Sequence, residues 1–153
     1  MISSSPRSKK RNVFLSDTQA TASLAREFAE GVSVKDVIAL TGDLGAGKTE
    51  FARALIIARG KLKGVKINHV PSPTYTLMQY YELPGGAIYH FDLYRLGKSE
   101  EIWELGIEEA FADGISIIEW SDKIKELLPA TTMHINFDFG KNASERIVHI
   151  SST

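Results

Sequence analysis

Gly42-Asp43-Leu44-Gly45-Ala46-Gly47-Lys48-Thr49 is the stretch that decides the fold. It satisfies GxxxxGK[ST], the phosphate-binding loop pattern, at every fixed position. With glycine at about 7% of residues, a chance match in so short a chain is well under about 1%. Upstream, Val37-Ile38-Ala39-Leu40 is a short apolar run inside an extended stretch from Asp36 to Thr41, as a buried strand reads. Downstream, residues 50–59 place apolar side chains at helical spacing, and Gly60 stands as the stop. Strand, loop, helix is the context that the pattern requires.

The chemistry of the loop follows from its backbone. Glycines at 42, 45 and 47 let successive N–H groups turn into one concavity. A helix starting near Lys48 adds the positive end of its dipole. Lys48 then reaches the β- and γ-phosphates of a nucleotide, and the Thr49 hydroxyl ligates Mg²⁺. Asp43, Leu44 and Ala46 complete the cradle. Such a loop needs an acid at the end of a neighbouring strand, to anchor the metal's water shell or orient the attacking water. Asp92 ends the run Ala87-Ile88-Tyr89-His90-Phe91, and Glu119 ends Ile115-Ser116-Ile117-Ile118. Both fall where strands of an open sheet meet the ligand crevice. Thr74 follows Val70-Pro71-Ser72-Pro73, a stretch that its prolines hold extended. Its hydroxyl suits a loop that closes on Mg²⁺ and the γ-phosphate. Trp120 reads more readily as a core residue than as a platform for the base. The four histidines show no metal-binding spacing, and His134 and His149 read as surface residues.

Composition sets the frame around this site. The chain has 153 residues, 43% hydrophobic and 24% charged, which suits one soluble domain over residues 12–153. A net charge of −1 gives no global field for nucleic acid, so DNA is not an expected partner. The chain has no cysteine, which excludes disulfides and thiolate metal sites and is compatible with the cytoplasm. No apolar run approaches the roughly 20 residues of a membrane span. Residues 1–11 are Ser-rich and basic, with no apolar core of a signal peptide, and read as a disordered tail.

The remaining segments give the sheet. Val13-Phe14-Leu15 reads as a short strand. Ser16 begins a helix, with Gln19 completing a capping box and Gly31 ending it. Residues 61–68 are basic and ambiguous. Tyr75 to Leu83 and Ala87 to Leu93 read as an antiparallel hairpin across Pro84-Gly85-Gly86. Ser99 caps a helix that Gly106 breaks, Ile107 to Ala112 forms another, and Ile115 to Ile118 is a strand. Asp122 to Leu128 is a short helix closed by Pro129. From Met133 the pattern alternates, with Ile135, Phe137 and Phe139 on one face, and Arg146 to Ile150 returns after Gly140-Lys141-Asn142. Two hairpins cannot be parallel, so the expected fold is α/β: three layers of the P-loop NTPase type around a mixed sheet.

Three segments together resemble the TsaE (YjeE) family of bacterial P-loop ATPases: GDLGAGKT at 42–49, SPTYTL at 72–77 and HFDLYRL at 90–96. Leu105-Gly106 and Ile118-Glu119-Trp120 follow at the expected places, and the likeness covers about residues 13–150. The resemblance implies a cytoplasmic protein that binds ATP with Mg²⁺. It implies a part in making N6-threonylcarbamoyladenosine in tRNA, alongside TsaB and TsaD, with tRNA met indirectly through the complex. ATP turnover is then weak alone and raised in the complex, resetting the TsaD–TsaB machine. By position, Lys48 binds phosphate, Thr49 and Glu119 serve Mg²⁺, Asp92 is the essential acid, and Thr74 lies in a switch-like loop. Trp120 borders the nucleotide, as does the stretch Asp17 to Thr21 with its threonines Thr18 and Thr21. Glu50 departs from the family, which usually carries a second Thr there. Ala25 replaces a common Gly, and the segment from Met133 on, Arg146 included, matches loosely. Outside the family, a small-molecule kinase would bring lid arginines, and no Arg-rich lid is evident. A GTPase would carry DxxG and NKxD motifs, and neither is present. A nucleotide-dependent docking module with negligible turnover overlaps with the main reading.

Overall fold

The structure, a computed structural model, describes residues 9–152. In chain order it has β1 (Lys9–Leu15), α1 (Thr18–Gly31), β2 (Val37–Gly42), α2 (Lys48–Leu62), β3 (Met78–Tyr81), β4 (Ile88–Asp92), α3 (Ile107–Asp113), β5 (Ile115–Glu119), β6 (Met133–Phe139) and β7 (Arg146–Ser152). Two 3₁₀ segments, Ser99–Leu105 and Ser121–Leu127, flank α3 and β5. One sheet holds the seven strands in the order β1-β7-β6-β2-β5-β4-β3. Its centre, β6-β2-β5-β4, is parallel; β3 and the pair β7-β1 extend it antiparallel on either side. This is an α/β fold of the P-loop NTPase type with a mixed sheet.

Burial explains the strand patterns. β4 and β5 are buried at every position, because helical segments cover both faces of a parallel centre. On one face α1 and α2 pack Leu24, Phe51, Leu55 and Ile56 against Ile38, Leu40, Ile117 and Ile135. On the other, the 3₁₀ segments and α3 bring Ile102, Ile107, Ala110 and Ile124 onto Phe91 and Ile118. Phe51 ties three elements together, with ring centroids 5.7 Å from Phe28 of α1 and 5.6 Å from Phe137 of β6. Each such pair adds about 0.5–1.5 kcal/mol beyond the area that it buries. Among the described residues, no helix is long and apolar enough to cross a membrane.

Several boundaries differ from the sequence expectation. The first strand starts at Lys9 rather than Val13, since Lys10, Arg11 and Asn12 pair in register with Ser151, Ile150 and His149 of β7. Residues 9–11 thus belong to the sheet; residues 1–8 of the expected tail lie outside the described residues. The cap of α1 is Asp17, whose carboxylate accepts from the Ala20 N–H at 3.0 Å, and not Ser16 with Gln19. Gly60 does not end α2, which runs on to Leu62. It is buried inside the helix because Ile67 and the Val65 carbonyl pack where a side chain would go. Residues 99–105 and 121–127 are 3₁₀ rather than α, and Lys98 rather than Ser99 precedes the first of them. Thr74 to Thr76 form a turn and Leu77 a bend before β3, with Leu77 at φ 70°. Phe139, expected inside with Ile135 and Phe137, is 51% exposed. It lies at the end of β6 under the Arg146 guanidinium, 4.9 Å from its ring centroid.

Candidate nucleotide site

β2 delivers the chain to the loop, and α2 begins at Lys48 with Gly47 as its cap in a left-handed conformation, φ 115°. Gly42 is required for a different reason. A Cβ there would sit 2.5 Å from the Phe137 carbonyl oxygen, and its φ of 137° is closed to other residues. The first N–H groups of α2 have no acceptor within the helix, so they are available to an anion.

The cleft over this loop, about 320 Å³, is lined by Leu44, Gly45, Gly47, Lys48, Thr49, Glu50, Thr74, Asp92, Tyr94, Glu119 and Trp120. Candidates from four separate segments therefore meet in one place. Lys48 is 4% exposed, and its ammonium donates to the carbonyls of Gly42 at 2.6 Å and Asp43 at 2.9 Å. The ammonium also lies 4.1 Å from the Trp120 ring centroid. Burial lowers its pKa from the ordinary lysine value, against the pull of Glu119, Asp92 and Asp43. A cation so poorly hydrated is set to gain from an incoming phosphate oxygen.

The acids are placed by the sheet. Asp92 and Glu119 are register partners at the C-terminal ends of β4 and β5. Glu119 Oε1 accepts from the Thr49 hydroxyl at 2.6 Å, and Glu119 is 1% exposed. Asp92 accepts from the Thr74 hydroxyl at 3.1 Å and from the Tyr94 N–H at 3.0 Å. Burial raises the Asp92 pKa, the Tyr94 and Thr74 contacts oppose this, and the nearby Glu119 charge adds to it. The Thr74 hydroxyl also meets Ser72 Oγ at 2.7 Å, and the Arg53 guanidinium of α2 holds the start of the proline loop through the Val70 carbonyl at 2.9 Å. Trp120, at φ 59°, turns its ring toward the cleft and packs against Tyr94, centroids 5.0 Å apart.

A hydroxyl and a carboxylate 2.6 Å apart beside a phosphate loop fit Mg²⁺, which binds through one or two protein oxygens and completes its shell with phosphate and water. Thr49 and Glu119 would hold it, with Asp92 and Thr74 alongside. Thr18 and Thr21 are not among the residues lining the cleft. Thr18 is exposed on α1, and Thr21 is buried with its hydroxyl on the Asp17 carbonyl. Two residues to which the sequence assigns no role touch these groups. Arg146 of β7 donates to the carbonyls of Ala46 at 3.0 Å and Gly45 at 3.3 Å, clamping the loop from behind. His90 of β4 meets Glu119 Oε2 through Nε2 at 2.6 Å. Its partner lies on the neighbouring strand, 29 residues on, so no local signal in the sequence points to it.

The family model for Threonylcarbamoyl adenosine biosynthesis protein TsaE matches residues 15–148. A Rickettsia bellii protein named tRNA threonylcarbamoyladenosine biosynthesis protein TsaE is 42% identical over 122 residues, covering 80% of this chain and 82% of that one. The Bacillus subtilis protein of the same name is 37% identical over 129 residues, 83% of this chain and 75% of its own. Among solved structures, Bacillus subtilis YdiB superposes with a TM-score of 0.71 at 25% identity, covering 97% of this chain and 88% of that one.

Proposed function

The chain belongs to the TsaE family of threonylcarbamoyl adenosine biosynthesis proteins, and on that premise we propose that it binds ATP with Mg²⁺ and hydrolyses it in the cytoplasm to support the N6-threonylcarbamoyladenosine modification of tRNA. The family places the chain in tRNA threonylcarbamoyladenosine biosynthesis. The finer reading, ATP hydrolysis, rests on one observation, and the partners TsaB and TsaD rest on the family resemblance alone. Lys48, Thr49, Thr74, Asp92 and Glu119 come from four segments and line one cleft above a phosphate loop.

The residues divide the work. The loop N–H groups and Lys48 hold the β- and γ-phosphates. Thr49 and Glu119 bind Mg²⁺, which supplies charge to the phosphates as their negative charge shifts toward the leaving group. Asp92, raised in pKa and held by Tyr94 and Thr74, faces the same cleft and is placed to orient the attacking water. The Thr74 hydroxyl is shared between Ser72 and Asp92, so the proline loop can exchange that contact for one to the γ-phosphate side. Such an exchange makes turnover sensitive to whatever docks on the loop. This is the physical ground for weak activity alone and higher activity with partners.

ATP turnover measured with TsaB and TsaD together, and with each omitted in turn, tests the reading. The expected result is slow hydrolysis by the isolated chain, a rise with both partners, and loss of the rise in Asp92→Asn. Nucleotide-dependent co-purification with no turnover in any mixture would leave a docking module instead. Phosphate passed to a metabolite faster than to water would make the chain a kinase.

A further inference from the structure

We propose that His90 is a positioning residue of the nucleotide site, whose ring N–H pins one oxygen of Glu119 so that the other stays turned to Thr49. The inference rests on the reading that Thr49 and Glu119 serve Mg²⁺. His90 has no exposed surface and does not line the cleft. It stands on β4 two residues before Asp92, and its side chain lies on the same face of the sheet as Glu119 of the adjacent strand. Nε2 lies 2.6 Å from Glu119 Oε2, while Nδ1 is buried with no hydrogen-bond partner. A proton on Nδ1 would be a buried donor without an acceptor, so the ring N–H belongs on Nε2 and points at Oε2.

Glu119 therefore accepts at both oxygens, from His90 at Oε2 and from Thr49 at Oε1, each at 2.6 Å. Glutamate has three side-chain torsions, and either contact alone leaves the carboxylate free to swing about the other. Two contacts at opposite oxygens fix its plane. The position itself argues for this role. A core site flanked by Tyr89 and Phe91 would be filled more stably by an aliphatic side chain than by a ring with an orphaned nitrogen. An outer residue that orients a metal-binding carboxylate commonly carries a 10- to 100-fold share of metal affinity.

Two near-isosteric variants separate positioning from packing. His90→Leu fills the space and removes the donor. His90→Gln carries an amide N–H to about the place of Nε2. Binding of a non-hydrolysable ATP analogue is measured by calorimetry in a Mg²⁺ series and in EDTA. The expected result is a Mg²⁺ requirement raised about 10- to 100-fold in His90→Leu, unchanged binding in EDTA, and recovery of most of the Mg²⁺ response in His90→Gln. Should His90→Leu fail to fold, His90→Asn replaces it; its shorter amide does not reach Glu119, so it should lose the response that His90→Gln keeps. Equal Mg²⁺ response in all variants overturns the proposal, as does equal loss with and without Mg²⁺. No Mg²⁺ dependence in the unsubstituted chain overturns the reading of the site, and the role of His90 with it.

Discussion

Lys48 spends its charge on two carbonyls of its own loop and a tryptophan ring, all within 4.1 Å. These contacts are replaceable: a phosphate oxygen offers a full charge where carbonyls offer dipoles. Lys48→Ala removes a charge-assisted contact worth about 1.5–3 kcal/mol. ATP affinity should therefore fall about 10- to 150-fold, read by calorimetry, and unchanged affinity would remove Lys48 from the site. Lys48, Thr49, Asp92 and Glu119 were legible in the sequence because each stands at a fixed offset in a local pattern or at the end of an apolar run. Arg146 and His90 were not. Arg146 acts on a carbonyl 100 residues away, and His90 on a carboxylate 29 residues away, so the sheet order creates their roles and no local spacing records them.

Gly60 shows how a helix can be read correctly and its end wrongly. Glycine after an apolar-periodic run commonly stops a helix, yet here α2 continues, and the missing side chain makes room for Ile67 and the Val65 carbonyl. Gly60→Ala sets two effects against each other. Helix propensity favours alanine by about 1 kcal/mol. A new Cβ would lie 2.8 Å from Ile67 Cδ1 and 2.9 Å from the Val65 oxygen, and the backbone oxygen cannot move aside as a flexible side chain can. Overpacking of this kind costs about 1–3 kcal/mol, so the net change measured by urea unfolding should be a loss of stability. A gain would mean that the 63–67 turn yields freely. β1 was likewise read short, because Lys9, Lys10 and Arg11 look like a solvated tail when nothing shows that β7 waits beside them. Arg11 is tied down further, its guanidinium donating to Glu27 of α1 at 2.7 and 3.1 Å. That hydrogen bond holds the Glu27 carboxyl below its ordinary value. A depressed carboxylate gives stability that is present above the unfolded value and lost as pH falls through the folded one. Both side chains are about half exposed, so the pair is worth about 0.2–1 kcal/mol. Glu27→Gln should be less stable by that much near neutral pH, less so in high salt, and equal to the unsubstituted chain at a pH well below about 4.

The three-layer arrangement makes the candidate nucleotide site the place where distant parts of the chain would answer to one ligand. α2 carries Lys48 and Thr49, the proline loop carries Thr74, β4 carries Asp92, and β5, between β2 and β4, carries Glu119. β6 backs the loop at Gly42 and β7 clamps it through Arg146. A ligand that joins these groups exists only for the folded chain, so it must stabilise the whole domain by mass action. At a free ligand concentration 100 times its dissociation constant the gain is about 2.7 kcal/mol. For a domain of about 150 residues each kcal/mol moves the melting temperature by about 2–4 °C. ATP with Mg²⁺ should therefore raise the midpoint by about 5–11 °C. In Lys48→Ala at the same ATP concentration, the ratio of ligand to dissociation constant drops 10- to 150-fold, and the shift should shrink to about 6 °C or less. Thermal unfolding in a calorimeter distinguishes the cases. Equal shifts in the two proteins would mean that the nucleotide binds elsewhere on the fold. A shift with Mg²⁺ alone equal to that with both would mean that Thr49 and Glu119 hold the ion without help from a phosphate.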